Sequence, residues 1–432
     1  MVVDASAMAY NETDRQHMIN SLADQMAPDH PRQTSSSEES LSHHGHELPL
    51  DRHTKKRTIP KKVIIGYATH CNLPDDTYGV KTAVRNGVNI VIWAFLEIHR
   101  SNATTSKGAE YVADLSGPLD LNCIRQMIHE LDNEGYNDTL HLVSVGGWNG
   151  PHLDENISGI EWYSIWRNQV GNIFHGIDFD LEGNTNLTDS NNYFTIDCLN
   201  KMGTISKLAH SDGYVVSIVP AQSYLDIGLG GTTQFSLHVN LTETRRPWHA
   251  EFNYFGRNVY AYLLAKYPQY IDLIIIQFYE SYSRASMFVN CYEVSHEKYL
   301  EMYIQTLYQQ QFQHFVDFEH EPLAGIKSQR ITIPLSKLVL GFANVGGDVN
   351  ANLEKNVYFD PTKIQSAYER LHTVSLTPRG FMFWVIDREG KHGVYYAKGL
   401  NDILHIRPHK SNNTRTVRDE SSSGNINLIG LT

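Results

Sequence analysis

Three carboxylates stand two residues apart in the stretch Phe174 to Gly183, FHGIDFDLEG: Asp178, Asp180 and Glu182, with Ile177, Phe179 and Leu181 between and before them. A period of two is the period of a β-strand, so the acids project from one face and the apolar residues from the other. Two residues of strand span about 6.6 Å, and at an effective dielectric near 20 two unit charges at that distance repel by roughly 2.5 kcal/mol. Such a group keeps at least one proton near neutrality. A buried unpaired carboxylate is among the least favourable contents of a core. The stretch therefore points to chemistry that needs a held proton, general acid or base catalysis. Taken alone, the same spacing also fits a polar plug paired with Arg or Lys, or a divalent cation site built from oxygens.

The elements that must position these acids can be read from hydrophobic patterning. Eight short apolar runs recur: VIIGYA near 63, VNIVIWAF near 88, HLVSVGG near 141, IFHGIDFDLE near 173, YVVSIVP near 214, LIIIQFY near 273, KLVLGFA near 337 and GFMFWVI near 380. Helical patterns separate them, such as LDLNCIRQMIHELDNEG and NNYFTIDCLNKMGTISKLAHSDG, the second with Asp189 and Ser190 as N-caps and Gly213 as its stop. Strands alternating with helices in this number predict a (β/α)8 TIM barrel. A doubly wound open sheet is the alternative, but no Gly-rich phosphate fingerprint follows the first strand. In a barrel the active site lies at the carboxyl ends of the strands. Glu182, the segment Ser144 to Trp148, the segment Gln277 to Glu280, and Trp384 all fall there and should meet at one mouth.

The chain has 432 residues, 41% of them hydrophobic, and a net charge of −12 at pH 7. That charge argues against nucleic acid or an anionic membrane as the main partner, and no apolar run reaches the length of a membrane span. Residues 1–58 are rich in Ser, His, Asp and Glu and read as a disordered tail in which His43, His44 and His46 are more simply solvated than metal-bound. Residues 59–406 form the barrel, and 407–432 form a second polar tail. The opening MVVDASAMAYNETDRQHM shows neither a basic n-region nor an apolar h-region. Four cysteines, Cys71, Cys123, Cys198 and Cys291, show no metal or redox spacing and leave their redox state open. Sequons begin at Asn11, Asn102, Asn137, Asn156, Asn186, Asn240 and Asn412, seven where roughly four would arise by chance. They hint at the secretory route, with the cytoplasm as the alternative.

HGIDFDLE at 175–182 resembles the signature DGxDxDxE of the family 18 glycoside hydrolases, the chitinases and their relatives. SVGG at 144–147, QFYE at 277–280 and GFMFW at 380–384 are similar to that family's motifs on the third, sixth and eighth strands, in the same order. The resemblance covers about 60–406 and implies a role for each matching position. Glu182 is then the general acid and base, and Asp180 the group that turns toward the substrate N-acetyl arm. Asp178 shares a proton with Asp180, held by Tyr67 and Ser144. Tyr279 bonds the acetamido carbonyl, Trp384 is the floor under the sugar, and Gln277 lies with Tyr67 and Ser144 in the substrate site. No protein nucleophile is needed, because the substrate acetamide attacks its own anomeric carbon.

The resemblance implies hydrolysis of β-1,4-linked N-acetylglucosamine polymers such as chitin, with no cofactor or metal and a monomeric chain secreted to meet its polysaccharide. The interval 344–379 is too short for the inserted module that walls the cleft in many relatives, which favours endo cleavage. Two other readings use the same residues: an endo-β-N-acetylglucosaminidase acting on N-glycans, and a glycan-binding lectin on an inactive barrel. Two positions depart from the pattern. His175 replaces the first Asp and is expected to shift the acids' proton balance, and Glu280 replaces Asp or Asn and crowds the acetamido pocket. Of the other tryptophans, Trp93 and Trp148 read as core, while Trp162, Trp166 and Trp248 fit either core or platform.

Overall fold

The computed structural model describes residues 58–71, 79–105, 108–148, 150–182, 192–227, 233–239, 258–279, 283–308, 314–344, 357–390 and 393–405. The two terminal tails, the His43, His44 and His46 cluster, Asp189 and Ser190, Trp248 and Glu280 lie outside these residues.

All eight apolar runs are strands: β1 (Val63–Ala68), β2 (Ile90–Thr105), β3 (Leu140–Gly147), β4 (Gly176–Leu181), β5 (Val215–Ile218), β6 (Leu273–Gln277), β7 (Leu338–Ala343) and β8 (Gly380–Trp384). Each pairs in parallel with the next, and β1 pairs with both β2 and β8, so the sheet closes into a (β/α)8 barrel. The helices that ring it among the described residues are α1 (Val80–Arg85), α2 (Leu121–Asn133), α3 (Gly159–Gln169), α4 (Ile196–Ser211), α5 (Ala261–Lys266), α6 (His296–Tyr308), α7 (Pro361–Thr373) and α8 (Tyr396–Leu404). The far half of β2 leaves the barrel and folds back on Gly108–Leu115 as an antiparallel hairpin.

Strand alternation divides the core into two shells. Val63, Ile65, Ile92, Leu142, Leu273 and Met382 fill the barrel, whereas Ile64, Trp93, Val143, Ile177, Ile274 and Phe381 pack outward against the helices. β4 offers the interior only Gly176 and Asp178 at its inner end, and a Cβ at Gly176 would stand 2.1 Å from the Val215 carbonyl oxygen. Helix starts carry side-chain caps, Asp120 on α2, Ser158 on α3 and Asp360 on α7. For α4 the cap is Thr195, not Asp189 or Ser190, because Asn192–Tyr193 are taken up in a short ladder with His238–Val239 before the helix begins. Its stop at Gly213, with φ +88°, is the one read from the sequence.

Cys71, just past β1, is bonded to Cys123 in the first turn of α2, and Cys198 and Cys291 form no disulfide among the described residues. The bridge spans 52 residues of sequence, a loop for which chain entropy predicts about 4 kcal/mol of stabilisation. Cys71→Ser is therefore expected to lower the urea midpoint by the equivalent of about 4 kcal/mol. An unchanged midpoint would show that the loop contributes nothing to stability. No helix among the described residues is long and apolar enough to cross a membrane.

Candidate active site

The register of three neighbouring strands sets Asp178 between two serines, since Ser144 on β3 and Ser217 on β5 are both its partners across the ladder. Side chains at one level of a barrel point inward together, so both hydroxyls reach the carboxylate. Ser144 Oγ donates to Asp178 Oδ2 over 2.6 Å, Tyr67 Oη donates to the same oxygen over 2.6 Å, and Ser217 Oγ donates to Oδ1. Asp178 is fully buried. Burial pushes its pKa up to about 6, even though the three hydroxyl bonds favour the charged form.

Asp180 and Glu182 follow on the same face toward the mouth, both buried. Burial and the charges of Glu182 and Asp178 hold Asp180 well above the usual carboxylate range, and a carboxyl–carboxyl hydrogen bond to Glu182 adds to the rise. Gln277, at the end of β6, lies over the pair. Its Nε2 is 2.7 Å from Asp180 Oδ1, 3.2 Å from Glu182 Oε1 and 2.8 Å from the Val219 carbonyl oxygen. Gln277 is buried, so its amide nitrogen is engaged with the acids and the backbone.

The aromatic wall stands beside the acids. Trp384, partly exposed at the end of β8, has its ring centroid 5.5 Å from that of Tyr67 and 6.1 Å from that of Phe95, the latter pair at 21°. Tyr279, half-buried just beyond β6, packs with Phe95 and Trp384 against the barrel's inner shell. The peptide bonds Ala94–Phe95 and Trp384–Val385 are both cis. All eight residues singled out from the sequence, Glu182, Asp180, Asp178, Tyr279, Trp384, Gln277, Tyr67 and Ser144, thus belong to one cluster that runs from inside the barrel to its carboxyl end.

The two glycines of SVGG have a steric explanation. Gly146 has φ +110° and a Cβ there would lie 2.5 Å from the Asp180 carbonyl oxygen, while Gly147 has φ +88° and its Cβ would lie 2.5 Å from the Phe95 ring. Only glycine lets β3 come this close to β4 and to the aromatic wall.

Several contributors were not singled out in the sequence. Ser217 is the lone serine inside YVVSIVP. Tyr260 donates to the Leu181 carbonyl oxygen over 3.0 Å from behind β4, and His152 Nε2 lies 3.1 Å from the Glu182 carbonyl oxygen. Trp148 corrects an expectation. It is 65% exposed just past β3 rather than in the core, because the positive-φ pair Gly146 and Gly147 ends the strand alternation before it. Trp93, Trp162 and Trp166 are fully buried. His175 shares the outward face with Ile177; its Nδ1 accepts from the His141 backbone N–H over 2.8 Å. It splices β4 to β3 and does not sit among the acids whose proton balance it was expected to shift.

The raised pKa of Asp178 has a consequence for stability. Its native value, about 6, exceeds the ordinary 3.8, so the native state binds the proton more tightly than the unfolded chain. Stability from this group is full below about pH 3.8 and is lost as pH rises through about 6. Asp178→Asn, which is neutral throughout, is expected to stabilise the fold at pH 7.5 by up to about 3 kcal/mol, with the gain shrinking toward pH 4. Thermal melts across that range check this, and a variant that melts lower than the wild type at pH 7.5 would contradict it.

The chain matches no protein-family profile and no curated protein sequence. Among solved structures it is similar to a family GH18 chitinase from Chromobacterium violaceum, with 16% identity over 81% of this chain and 85% of that one and a TM-score of 0.50. A GH18 chitinase from Pseudoalteromonas aurantia shows 15% identity over 79% and 100% of the two chains, with a TM-score of 0.46. A fungal endo-beta-N-acetylglucosaminidase from glycosyl hydrolase family 18 shows 14% identity over 80% and 99%, with a TM-score of 0.45. In its fold, the chain is a (β/α)8 barrel that resembles the family 18 glycoside hydrolases.

Proposed function

We propose that this protein is a glycoside hydrolase that cleaves β-1,4-linked N-acetylglucosamine polymers with retention, using the substrate acetamide as nucleophile. The observation that carries the reading is the stacked triad Asp178, Asp180 and Glu182, buried at the barrel mouth beside a partly exposed indole. Glu182, nearest the mouth, protonates the leaving oxygen and then activates water. Asp180 shares one hydrogen with Glu182; when Glu182 holds it for the leaving oxygen, the Asp180 carboxylate orients the acetamido N–H and stabilises the positive charge that develops as the acetamide oxygen attacks the anomeric carbon. Asp178, held by three hydroxyls, takes up or releases the proton that Asp180 exchanges. Tyr279 bonds the acetamido oxygen, and Trp384 offers the flat apolar face that matches the C–H surface of a pyranose.

Endo cleavage is supported by the short connection between Ala343 and Pro361, which leaves no room for a wall on that side. The Cys71–Cys123 disulfide supports an oxidising compartment, and we take the chain to be a monomer meeting its polysaccharide outside the cell. The test is a product profile on chitohexaose and on an N-glycoprotein, side by side. Internal cuts of chitohexaose support the reading. Release of glycan from the glycoprotein alone would assign the endo-β-N-acetylglucosaminidase activity instead, and binding without products would make the protein a lectin.

A further inference from the structure

Two buried carboxylates lie outside the triad among the described residues: Asp226, which is paired with Arg284, and Glu389. Glu389, five residues past β8, is fully buried. Its Oε2 accepts from the backbone N–H of Tyr396 over 3.1 Å and its Oε1 from that of Ala397 over 2.8 Å, so it caps the start of α8. Its remaining partner is the side chain of Asn344. Asn344 is itself buried, one residue beyond β7.

Asn344 grips the end of β8 in three places. Its backbone N–H donates to the Trp384 carbonyl oxygen over 2.9 Å, its Oδ1 accepts from the Val385 N–H over 2.8 Å, and its Nδ2 donates to the Val385 carbonyl oxygen over 2.9 Å. The first bond continues the β7–β8 ladder past its last pair, Ala343 and Trp384. The other two come from the side chain and add a rung that the backbone alone does not supply. Only a neutral amide both donates and accepts in this way. With the backbone on both sides of Trp384 held, its ring can move only about its side-chain torsions, and there Tyr67 and Phe95 flank it.

We propose that Asn344 is a positioning residue for the Trp384 indole, anchored through Glu389 to the start of α8. The inference rests on the reading of Trp384 as the sugar platform, but its first test does not need a substrate. Acrylamide quenching of Trp384, isolated as the difference between proteins with and without Trp384→Phe, should rise at least twofold in Asn344→Ala. Unchanged quenching overturns the proposal whether or not the protein hydrolyses any glycan.

The second test is a double-mutant cycle on chitohexaose. Asn344→Ala should lower kcat/KM about tenfold, the size expected for two lost buried hydrogen bonds, yet change it less than twofold in a Trp384→Ala background. Equal losses in both backgrounds would show a role in stability alone. Should Asn344→Ala fail to fold, Asn344→Ser, which adds no charge beside Glu389 and is too short to hold both Val385 groups, carries the same cycle. If the wild type neither binds nor cleaves chitohexaose, the reading as a hydrolase of N-acetylglucosamine polymers fails, and the quenching result still decides the role of Asn344.

Discussion

Glu182→Gln is expected to lower turnover on chitohexaose by about 10² to 10⁴ while fold and glycan binding survive. The substitution keeps the volume and polarity of a buried side chain, so the packing around β4 has no reason to change. A primary amide at that position cannot give a proton to a leaving oxygen or take one from water, so both half-reactions lose their acid or base. One further effect follows from the electrostatics. Glu182 is the strongest charged influence that raises Asp180, and neutralising it should let Asp180 release its proton at a lower pH. Residual turnover should therefore show an acidic limb displaced downward. Kinetics with chitohexaose, alongside a melting curve and a binding isotherm, separate these effects. Turnover near the wild-type value would remove Glu182 from its role.

A glucosamine unit in the subsite preceding the cut is expected to slow cleavage by about 10³-fold or more. Intramolecular attack by a well-placed group is worth a large effective molarity, and the free amine of glucosamine supplies no carbonyl oxygen to make that attack. The layout is consistent with this dependence: Asp178, Asp180 and Glu182 all share one face of one strand. A protein nucleophile would need to stand across the sugar from its acid partner. Sequencing the fragments of a partly deacetylated chitosan measures the preference, and proton NMR of fresh product reads the anomer. Frequent cuts after a deacetylated unit, or an inverted anomer, would rule out substrate assistance.

Much of this molecule was legible in the sequence. All eight strands were, because a parallel strand buried on both faces leaves a near-continuous apolar run bounded by polar chain. The triad was legible for a related reason, since charged residues at a period of two inside such a run can only point into the barrel. α1 and α5 left a weaker trace, being six residues each, too short for a periodic stripe. Ser217 was passed over because one small hydroxyl in an apolar strand is ordinary, and only the register against Asp178 makes it a ligand of the carboxylate. Tyr260 and His152 act on backbone carbonyls of β4 and of Glu182, contacts that no local pattern encodes. Trp148 was read as core, but two positive-φ glycines end the strand before it and leave it 65% exposed. The pairing of Cys71 with Cys123 depends on where α2 docks beside the end of β1, which is a property of the closed barrel.

Gln277 imposes a hydrogen count on the resting site. Its amide nitrogen carries two hydrogens but faces three oxygens, on Asp180, Glu182 and Val219. The hydrogen bond between Asp180 and Glu182 supplies one further hydrogen to this cluster. Burial and repulsion between the two carboxyls favour a state in which they share it. On the proposed mechanism, when Glu182 gives up its proton to a leaving group, the same amide turns a hydrogen toward the newly charged oxygen. A single side chain on β6, two strands away from the acids, then answers each proton transfer by re-aiming its hydrogens.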